Sequence, residues 1–379
     1  METNWINFET NLKSIPWQSW VELGECAAKC EQIRTIPLKP HVKQHLHLIY
    51  LAKGVHATTA IEGNTLSEEQ IKDLINNKLK LPPSKEYLEN EARNIIEACN
   101  EIAVQVAQGS FKEISVSRLC HYNNKVLQNV PCDETVIPGE IRKHNVVVGN
   151  VYRAPDAKDV SALITKFCEW MNSDYFTNQQ RPVHFAIIKA IAAHLYIAWI
   201  HPFGDGNGRV ARLLEFAILL NSGIASPAAH LLSNHYNMTR SEYYRRLNKA
   251  SKTGDPTEFF SYAIQGFRDG LTEQLQHIQR HVMDTCWREY IYEYFREIVK
   301  SATMRRRREL ILKISESKQP VEKDALLMLM SKEYKDKSER TFLRDLKDLE
   351  KIELIVNDGG KYLANKSLML QYLPFSTLQ

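Results

Sequence analysis

Residues 201–212 bring together the side chains of this sequence that are best suited to phosphate chemistry. They read HPFGDGNGRVAR and include three glycines, two arginines, an aspartate and a histidine. Glycine adopts positive φ readily and lets a ligand approach the backbone closely, so successive N–H groups of such a loop can point at one anion. The stretch therefore predicts an anion-binding loop suited to phosphate groups.

An apolar helical pattern follows this loop directly. It runs from Arg209 to Leu220 and is stopped by the residues 221–223, Asn-Ser-Gly. The first turn of a helix has N–H groups without intrahelical partners, and the helix dipole adds partial positive charge there, so phosphate binds well at that point. Arg209 and Arg212 are three residues apart and share one face, so both guanidinium groups can reach the same polyanion.

Two further residues of the loop suit the chemistry of a metal–nucleotide complex. Asp205 could share Mg²⁺ with phosphate oxygens, because Mg²⁺ prefers oxygen ligands and keeps several waters. His201 has a side chain whose usual pKa of about 6.5 suits a general base that takes a proton from an attacking hydroxyl. The spacing is neither that of a Walker A loop, G-x-x-x-x-G-K-S/T, nor that of a dinucleotide fingerprint, since no βαβ unit surrounds it.

A mainly helical body must position the loop, because the chain before residue 300 has helical periodicity almost throughout. Helices are predicted for residues 41–61, from 65 or 67 onward, and for 87–109, 114–129, 161–173, 184–200, 209–220, 239–253 and 256–270, with an amphipathic connector over 271–299. Residues 1–40, rich in tryptophan and proline, predict an arm packed on this body. Segment 183–200 is apolar enough to resemble a membrane span, but its two histidines and one lysine favour a buried core helix.

Two segments have the signals of a β-hairpin. The valine run 146–148 is flanked by turn residues and predicts a hairpin inside the helical body. The last part of the chain has three helical patterns and then a second hairpin signal, in residues 304–314, 321–330, 338–352 and 354–363. Three helices and a β-ribbon over about 75 residues predict a winged helix-turn-helix.

The third of these C-terminal helices has charges of both signs. Its basic residues are Arg340, Arg344, Lys347 and Lys351, and its acidic residues are Glu339, Asp345, Asp348 and Glu350. A DNA-reading helix usually presents a more one-sided basic face. The arginine run 305–308 could contact phosphates or form a solvated helix start. Protein docking or dimerisation is therefore at least as well supported by the sequence as DNA binding.

The composition is that of a soluble globular protein. The chain has 379 residues, 44% of them hydrophobic and 25% charged, which suits two or three domains. A net charge of +4 is small for this length and does not by itself favour nucleic acid or membrane as a partner. Seven scattered cysteines and an N-terminus without an apolar signal segment predict a reducing, cytoplasmic setting with no membrane partner.

At this point the motifs resemble those of a known family. Residues 201–212 match the H-x-F-x-D/E-G-N-G-R-x-x-R signature of Fic-domain proteins at every defined position, and residues 58–64, TTAIEGN, resemble the S/T-x-x-x-E-G/N motif of their inhibitory helix. With its C-terminal winged helix, the whole chain resembles a class II Fic protein of bacterial type. The resemblance implies an all-α Fic core with a small β-hairpin flap. It also implies an N-terminal helical region, a catalytic core, a helical connector and a winged helix over 1–110, 111–272, 273–300 and 301–379.

The activity that the resemblance implies is transfer of AMP from Mg-ATP to a Ser, Thr or Tyr hydroxyl of a target protein, or of the enzyme itself, with release of pyrophosphate. His201 would be the base, Asp205 would bind Mg²⁺, and Arg212 would grip the γ-phosphate. Phe203 would anchor the loop, and Glu62 would pair with Arg212 and so inhibit the enzyme. The remaining implied roles are an anion hole of Gly206, Asn207, Gly208 and Arg209, a target-binding flap of Val148, Gly149 and Asn150 that acts by β-augmentation, and an adenine pocket lined by Tyr243 and Tyr244.

One departure from the family pattern concerns the nucleobase. Ser251 occupies the position where relatives often have an asparagine that faces the base, and Asn248 is a nearby substitute. Transfer of another phosphate-bearing group, including phosphoryl or UMP, therefore stays open. The competing class is a nucleotide-sensing, DNA-binding regulator. The sequence also leaves open a homo-oligomer and the removal of AMP by a water that Glu62 positions.

Overall fold

The computed structural model describes residues 6–8, 11–148, 152–296 and 301–370. Contacts between residues divide the chain into two compact units, Met1–Leu275 and Gln276–Gln379. The helices that lie in the first unit are α1 (Trp17–Thr35), α2 (Pro40–Ala60), α3 (Glu68–Ile75), α4 (Glu86–Ala107), α5 (Val116–Leu127), α6 (Ala157–Asn172), α7 (Pro182–Ile200), α8 (Asn207–Asn221), α9 (Ser226–Ala229), α10 (Leu231–Met238) and α11 (Arg240–Thr253). Helix α12 (Thr257–Arg296) includes the boundary between the units.

Helices α7 and α8 form the centre of the first unit. Every residue of α7 from Ala186 to Ile200 is buried except Lys189 and Ala198, and α8 is buried over most of its length. A helix that is apolar on all sides is stable only when other elements surround it. Helix α7 is long and apolar enough to cross a membrane, but 72% of its most apolar stretch is buried within the structure. It is therefore the core helix that the sequence predicted.

Helix α2 and the turn after it lie against this centre. The turn leads into α3, which begins directly after Ser67. The Ser67 hydroxyl accepts from the Gln70 N–H at 3.3 Å, and the Gln70 side chain accepts from the Ser67 N–H at 3.0 Å. This capping box fixes the second of the two helix starts that the sequence allowed. Gly54 of α2 packs against the His230 ring, where a Cβ would collide with it, so α2 approaches its neighbours closely.

The N-terminal segment is more regular than the sequence suggested. Residues 17–35 form α1, which packs against α7. Its residues Leu23, Cys26, Cys30 and Ile33 are buried, and their spacing of three and four residues defines one helical face. Burial raises the pKa of the Cys30 thiol to about 12, as expected for a packed thiol. The sequence predicted a segment packed on the body but not its helix, because the flanking prolines and tryptophans obscured this face.

A short hairpin interrupts the helices of the first unit. Strand β1 (Val147–Val148) pairs antiparallel with β2 (Tyr152–Arg153), with Val147 opposite Arg153 and Val148 opposite Tyr152. The Tyr152 hydroxyl donates to the Trp199 carbonyl at 2.7 Å and so ties the hairpin to the last turn of α7. Gly149 and Asn150, which the sequence analysis placed in a flap, lie outside the described residues.

The second unit combines helices with a three-stranded sheet. After α12 come α13 (Ala302–Glu316), β3 (Val321–Glu322), α14 (Lys323–Leu329), α15 (Glu339–Lys351), β4 (Ile355–Asp358) and β5 (Lys361–Ala364), and the antiparallel strands lie in the order β3-β5-β4. Gly359 and Gly360, with φ of 59° and 90°, form the two-residue turn between β4 and β5. Trp287, Ile291 and Phe295 of α12 belong to the core of this unit, so that part of the predicted connector is a core helix.

Candidate active site

The loop 201–206 joins the two central helices. His201 ends α7 in the left-handed conformation, with φ of 49°, and Gly206 caps the start of α8 with φ of 79°. A Cβ on Gly206 would lie 3.0 Å from the Asn123 side-chain nitrogen and would also be strained by the positive φ, so glycine suits this position. The loop therefore lies at the N-terminus of a buried helix, as the sequence predicted.

Asn207 closes the loop on itself. Its side-chain oxygen accepts from the Phe203 N–H at 2.9 Å, and its side-chain nitrogen donates to the Phe203 carbonyl at 2.8 Å. Phe203 is buried in the core below the loop. Asn207 thus uses its side chain to hold the loop, and its contribution to an anion hole would come from its backbone N–H.

Arg142 holds the catalytic histidine candidate from the hairpin side. Its Nε donates to the His201 carbonyl at 2.7 Å, and its two terminal nitrogens donate to the carbonyls of His144 at 2.8 Å and Pro155 at 2.6 Å. Three carbonyls around one buried guanidinium fix the base of the hairpin next to His201. Sequence reasoning missed Arg142, since nothing in its local spacing links it to a loop 59 residues later.

The surroundings of His201 keep its imidazole neutral. Burial is the largest cause and lowers its pKa to about 4, and the charge of Arg142 acts in the same direction. The Ala198 backbone and the carboxylates of Glu62 and Asp205 oppose this shift. At neutral pH the ring therefore has a lone pair available to accept a proton.

Glu62 reaches the second arginine of the loop motif. Its carboxylate forms an ion pair with Nη2 of Arg212, and the same nitrogen donates to the Thr58 carbonyl at 3.0 Å. The Arg212 side chain is 1% exposed and that of Glu62 is 31% exposed. Burial opposes ionisation of Glu62, but the charge of Arg212, helped by Arg209 and Arg240, holds the pKa of Glu62 below its usual value. The pair is therefore ionised at neutral pH.

Helix α11 also holds the end of α2. Arg240 donates to the Ile61 carbonyl at 2.6 Å, and the Tyr244 hydroxyl donates to the same oxygen at 3.2 Å. The Arg240 guanidinium lies 5.9 Å from the centre of the Tyr244 ring. Ile61 precedes Glu62, so these two bonds fix the turn that places the carboxylate on Arg212. Arg240 was not among the residues that the sequence singled out.

The first arginine of the motif has different partners. Arg209 donates to Glu91 at 2.7 Å and lies 3.3 Å from both carboxylate oxygens of Asp205. The other oxygen of Glu91 accepts from the Asn64 side chain at 2.9 Å. The Arg209 side chain is 5% exposed, and its guanidinium is shared between two carboxylates. Its side chain is therefore bound within the protein, and the route to an anion in this region is the N-terminal turn of α8.

Asp205 is the residue of this group that could share a metal. Its side chain is 46% exposed, in contrast to the buried Arg209 beside it. Among the residues that the structure describes, no three His, Cys, Asp or Glu side chains come together as a metal site. One carboxylate fits Mg²⁺ only if phosphate oxygens and water complete the coordination, which is how Mg²⁺ is commonly held beside nucleotides.

A cavity of about 630 Å³ collects most of the predicted site residues. Such a volume is typical of small-molecule sites. The cavity is lined by Glu62, Val148, Tyr152, His201, Asn207, Gly208, Arg212, Tyr243, Tyr244, Asn248 and Ser251, among others. The motif loop, the turn after α2, the hairpin and α11 therefore share one space. A Cβ on Gly208 would collide with the Glu62 carboxylate, so the glycine leaves the room that Glu62 occupies.

A chain of buried polar side chains lies behind the cavity wall. His194 of α7 has one ring nitrogen 3.0 Å from Glu215 of α8 and the other 2.9 Å from the Tyr243 hydroxyl of α11. The Tyr236 hydroxyl donates to the second oxygen of Glu215 at 2.9 Å. The chain joins the helices that carry His201, Arg212 and Tyr243. The sequence indicated no role for His194 beyond its place in the predicted core helix.

The fold and the site together define a helical protein with a phosphate-binding loop at the start of a core helix. Residues 113–219 match the Fic/DOC family, and this stretch includes the hairpin, α7 and the motif loop. Residues 113–219 therefore form a Fic domain, and the predicted all-α Fic core with a hairpin is confirmed.

Curated relatives and solved structures agree with this assignment. Protein adenylyltransferase fic-1 of Caenorhabditis briggsae is 32% identical over 212 residues, and protein adenylyltransferase Fic of Drosophila willistoni is 28% identical over 208 residues. These alignments cover 56% and 55% of this chain but only 38% of each relative. A Fic family protein from Desulfovibrio desulfuricans shares the fold with a TM-score of 0.55 at 20% identity, over 92% of this chain and 94% of its own. Fic-1 of Caenorhabditis elegans has the same TM-score at 22% identity, over 69% and 73% of the two chains.

Proposed function

We propose that this chain is a protein adenylyltransferase that moves AMP from ATP to a side-chain hydroxyl of a target protein. The observation that carries the proposal is the single cavity shared by His201, the N-terminus of α8 and Arg212. A neutral base, a set of backbone N–H groups and a buried guanidinium are what a nucleotidyl transfer requires of a protein. The curated relatives named protein adenylyltransferase support the same reaction.

In the proposed reaction the target hydroxyl gives its proton to His201 as its oxygen attacks the α-phosphorus of ATP. An O–P bond forms to the hydroxyl oxygen, the bond between the α-phosphorus and the bridging oxygen breaks, and pyrophosphate leaves. The N–H groups at the start of α8 stabilise the negative charge on the phosphates. Mg²⁺, held by Asp205, would neutralise phosphate charge when bound. The hairpin that contains Val148 lies beside the cavity and would present the target segment.

We infer that the enzyme is autoinhibited by Glu62, in the manner of a class II Fic protein. The Arg212 nitrogen that could bind the terminal phosphate is already bound to the Glu62 carboxylate and the Thr58 carbonyl. A nucleotide can use this guanidinium only if it displaces the carboxylate. The support for inhibition is therefore a competition between two anions for one buried cation.

Asn248 is the residue that we assign to the nucleobase. Ser251 donates to the Leu247 carbonyl at 2.8 Å, so its hydroxyl hydrogen is already used. The side-chain oxygen of Asn248 is buried and has no hydrogen-bond partner among the described residues. Such an oxygen needs a donor. Adenine offers an exocyclic amino group, whereas uracil offers a carbonyl at the corresponding edge, so this wall favours ATP over UTP.

The experiment that tests the function uses the full chain with the Glu62→Gly substitution. The variant is incubated with each nucleotide triphosphate labelled at the α-phosphate, and ATP is also supplied with label at the γ-phosphate. We expect covalent label from α-labelled ATP, on the enzyme itself or on an added target, and none after the further change His201→Ala. Label from the γ-position would instead show phosphoryl transfer, and preferred use of UTP would refute the Asn248 assignment.

The possible removal of AMP needs its own measurement. Labelled protein made with the Glu62→Gly variant is mixed with unlabelled wild-type chain, and free AMP is followed. Release of AMP that depends on Glu62 would show that the carboxylate also directs a water, whereas stable label would limit Glu62 to inhibition.

We infer a cytoplasmic setting for these reactions, which the seven free cysteines support.

A further inference from the structure

Three of the four acidic residues of α15 are already paired. Asp345 is 1% exposed and accepts from Arg306 at 2.7 Å and Arg307 at 2.8 Å, both on α13. Asp348 pairs with Arg307, and Glu339 pairs with Lys323 at 2.8 Å. Asp345 is neutralised in the interior of the second unit, whereas Asp348 and Glu339 are paired closer to the surface. Pairing therefore reduces the negative charge that this helix presents to solvent.

The basic residues of α15 form a stripe on the opposite side from its core face. Arg340, Arg344, Lys347 and Lys351 follow one another at intervals of four, three and four residues and are all exposed. At about 100° per residue, this spacing keeps them within about 60° of arc and over about 16 Å of helix. Phe342, Leu346 and Leu349 of the same helix are buried. No ion pair to any of the four basic residues occurs among the residues that the structure describes.

The arginine run at the start of α13 has a structural role instead. Arg306 and Arg307 are bound to Asp345, and Arg308 pairs with Glu309 at 2.8 Å. The Arg306 guanidinium also lies 5.2 Å from the centre of the Tyr334 ring, and the Tyr334 hydroxyl donates to Asp345 at 2.8 Å. Arg306 and Arg307 therefore hold α13 against α15. Arg305 is exposed on α13, so the regularly spaced row of exposed cations is the one on α15.

The net charge of the chain lies in the same part of the sequence. Residues 301–370 have 16 Lys and Arg against 12 Asp and Glu, so they account for the whole net charge of +4. The turn that leads into α15 has three exposed lysines, Lys332, Lys335 and Lys337, and two exposed acids, Glu333 and Asp336, so it adds one net positive charge. Glu339 and Glu350 are the exposed acids of the helix and lie on the flank of the stripe, and Glu339 is paired with Lys323. A local positive field of this kind attracts a polyanion.

We propose that α15 binds duplex DNA with its basic stripe facing the major groove. The order of α14, a turn, α15 and the β4–β5 hairpin is that of a helix-turn-helix with a wing, whose second helix enters the groove. The groove is about 12 Å wide and admits one α-helix. A straight, evenly spaced row of cations on a protruding helix face complements the phosphates that line such a groove. This activity is independent of the proposed nucleotidyl transfer.

The test measures binding of the full chain to a fluorescent 20-base-pair duplex by anisotropy between 50 and 300 mM NaCl. Four phosphate contacts predict that log K falls with log salt with a slope of about −3.6. The double variant Arg344→Ala, Lys347→Ala should halve the salt dependence, to a slope of about −1.8, and weaken binding about 60-fold at 0.1 M salt. Glu350→Gln should have the opposite effect and strengthen binding.

The matched control is the double variant Lys78→Ala, Lys80→Ala, which removes the same charge from exposed lysines of the first unit. It should bind duplex like the wild type. The proposal fails if the wild type does not bind at 50 mM salt, or if the α15 variant loses no more than the control. It also fails if poly-glutamate displaces the duplex equally well per charge, since α15 would then be a docking face for acidic protein.

Discussion

Removal of the Glu62 charge should activate the enzyme without unfolding it. In the structure the Glu62 carboxylate is one of two partners of a single Arg212 nitrogen, and the Thr58 carbonyl is the other. Glu62→Gly therefore leaves the buried guanidinium with one hydrogen bond and opens a space beside Gly208. An incoming γ-phosphate can then take the place of the carboxylate.

The size of the activation follows from the bond that the nucleotide must displace. A hydrogen bond to a charged group contributes about 1.5–3 kcal/mol. The Glu62 side chain is 31% exposed, so water screens part of this interaction and the lower half of the range applies. At about 1.4 kcal/mol per factor of ten, the rate of AMP transfer should rise about 10-fold to 50-fold. The pair is lost only as the pH falls through the lowered pKa of Glu62, so assays near neutral pH test the inhibited state.

The assay is covalent transfer of α-labelled AMP by the full chain at fixed ATP, with thermal unfolding measured in parallel. Glu62→Gln, which can keep a hydrogen bond but not the charge, should lie between wild type and Glu62→Gly. Glu69→Gln breaks a surface pair with Lys72 and should change nothing. Activation below about 3-fold, or equal activation by the Glu69 variant, would refute the reasoning. When Arg212 is also changed to alanine, the Glu62 substitution should no longer affect the rate of AMP transfer.

Three further perturbations test other parts of the site. In the Glu62→Gly variant, the transfer rate should stay constant through pH 6.5, where a histidine usually titrates. The pKa of His201 is lowered to about 4, so the base is lost only as the pH falls toward that value. A fall in rate below pH 6.5 would contradict this. Asn248→Leu, which removes the acceptor that we assign to the base, should raise KM for ATP more than it changes kcat. His194→Phe leaves the Tyr243 hydroxyl without its partner, so it should lower the free energy of unfolding by about 1–3 kcal/mol and raise KM, and an unchanged KM would limit His194 to stability.

The contiguous part of the site could be predicted from the sequence, because one loop and the helix after it contain the histidine, the glycines and both arginines. The residues that hold this loop could not. Arg142 contacts His201 across 59 residues, and Glu91 contacts Arg209 across 118 residues. Long-range contacts between single side chains leave no spacing pattern in a sequence. Glu62 was found only through a family motif, although it is 150 residues from its partner.

Charge counting on α15 shows a second limit of the sequence. The helix has four basic and four acidic residues, which suggested a mixed face. Burial separates the two signs, because Asp345 and Asp348 turn toward arginines of α13 while the basic stripe stays exposed. Helical periodicity places Asp345 near the apolar face of α15. The arginines that neutralise it lie on α13, and their position is known only from the structure.

The end of α2 is held at three points, and these differ in what a nucleotide can undo. Glu62 occupies Arg212, the Ile61 carbonyl is bound by Arg240 and Tyr244, and Asn64 is bound to Glu91, which in turn binds Arg209. Only the first contact competes directly for a phosphate-binding group. The other two keep α2 in place after the carboxylate is gone. The proposed inhibition therefore has a part that depends on charge and a part that depends on anchoring. Substitution of Glu62 should remove the first part while α2 remains docked.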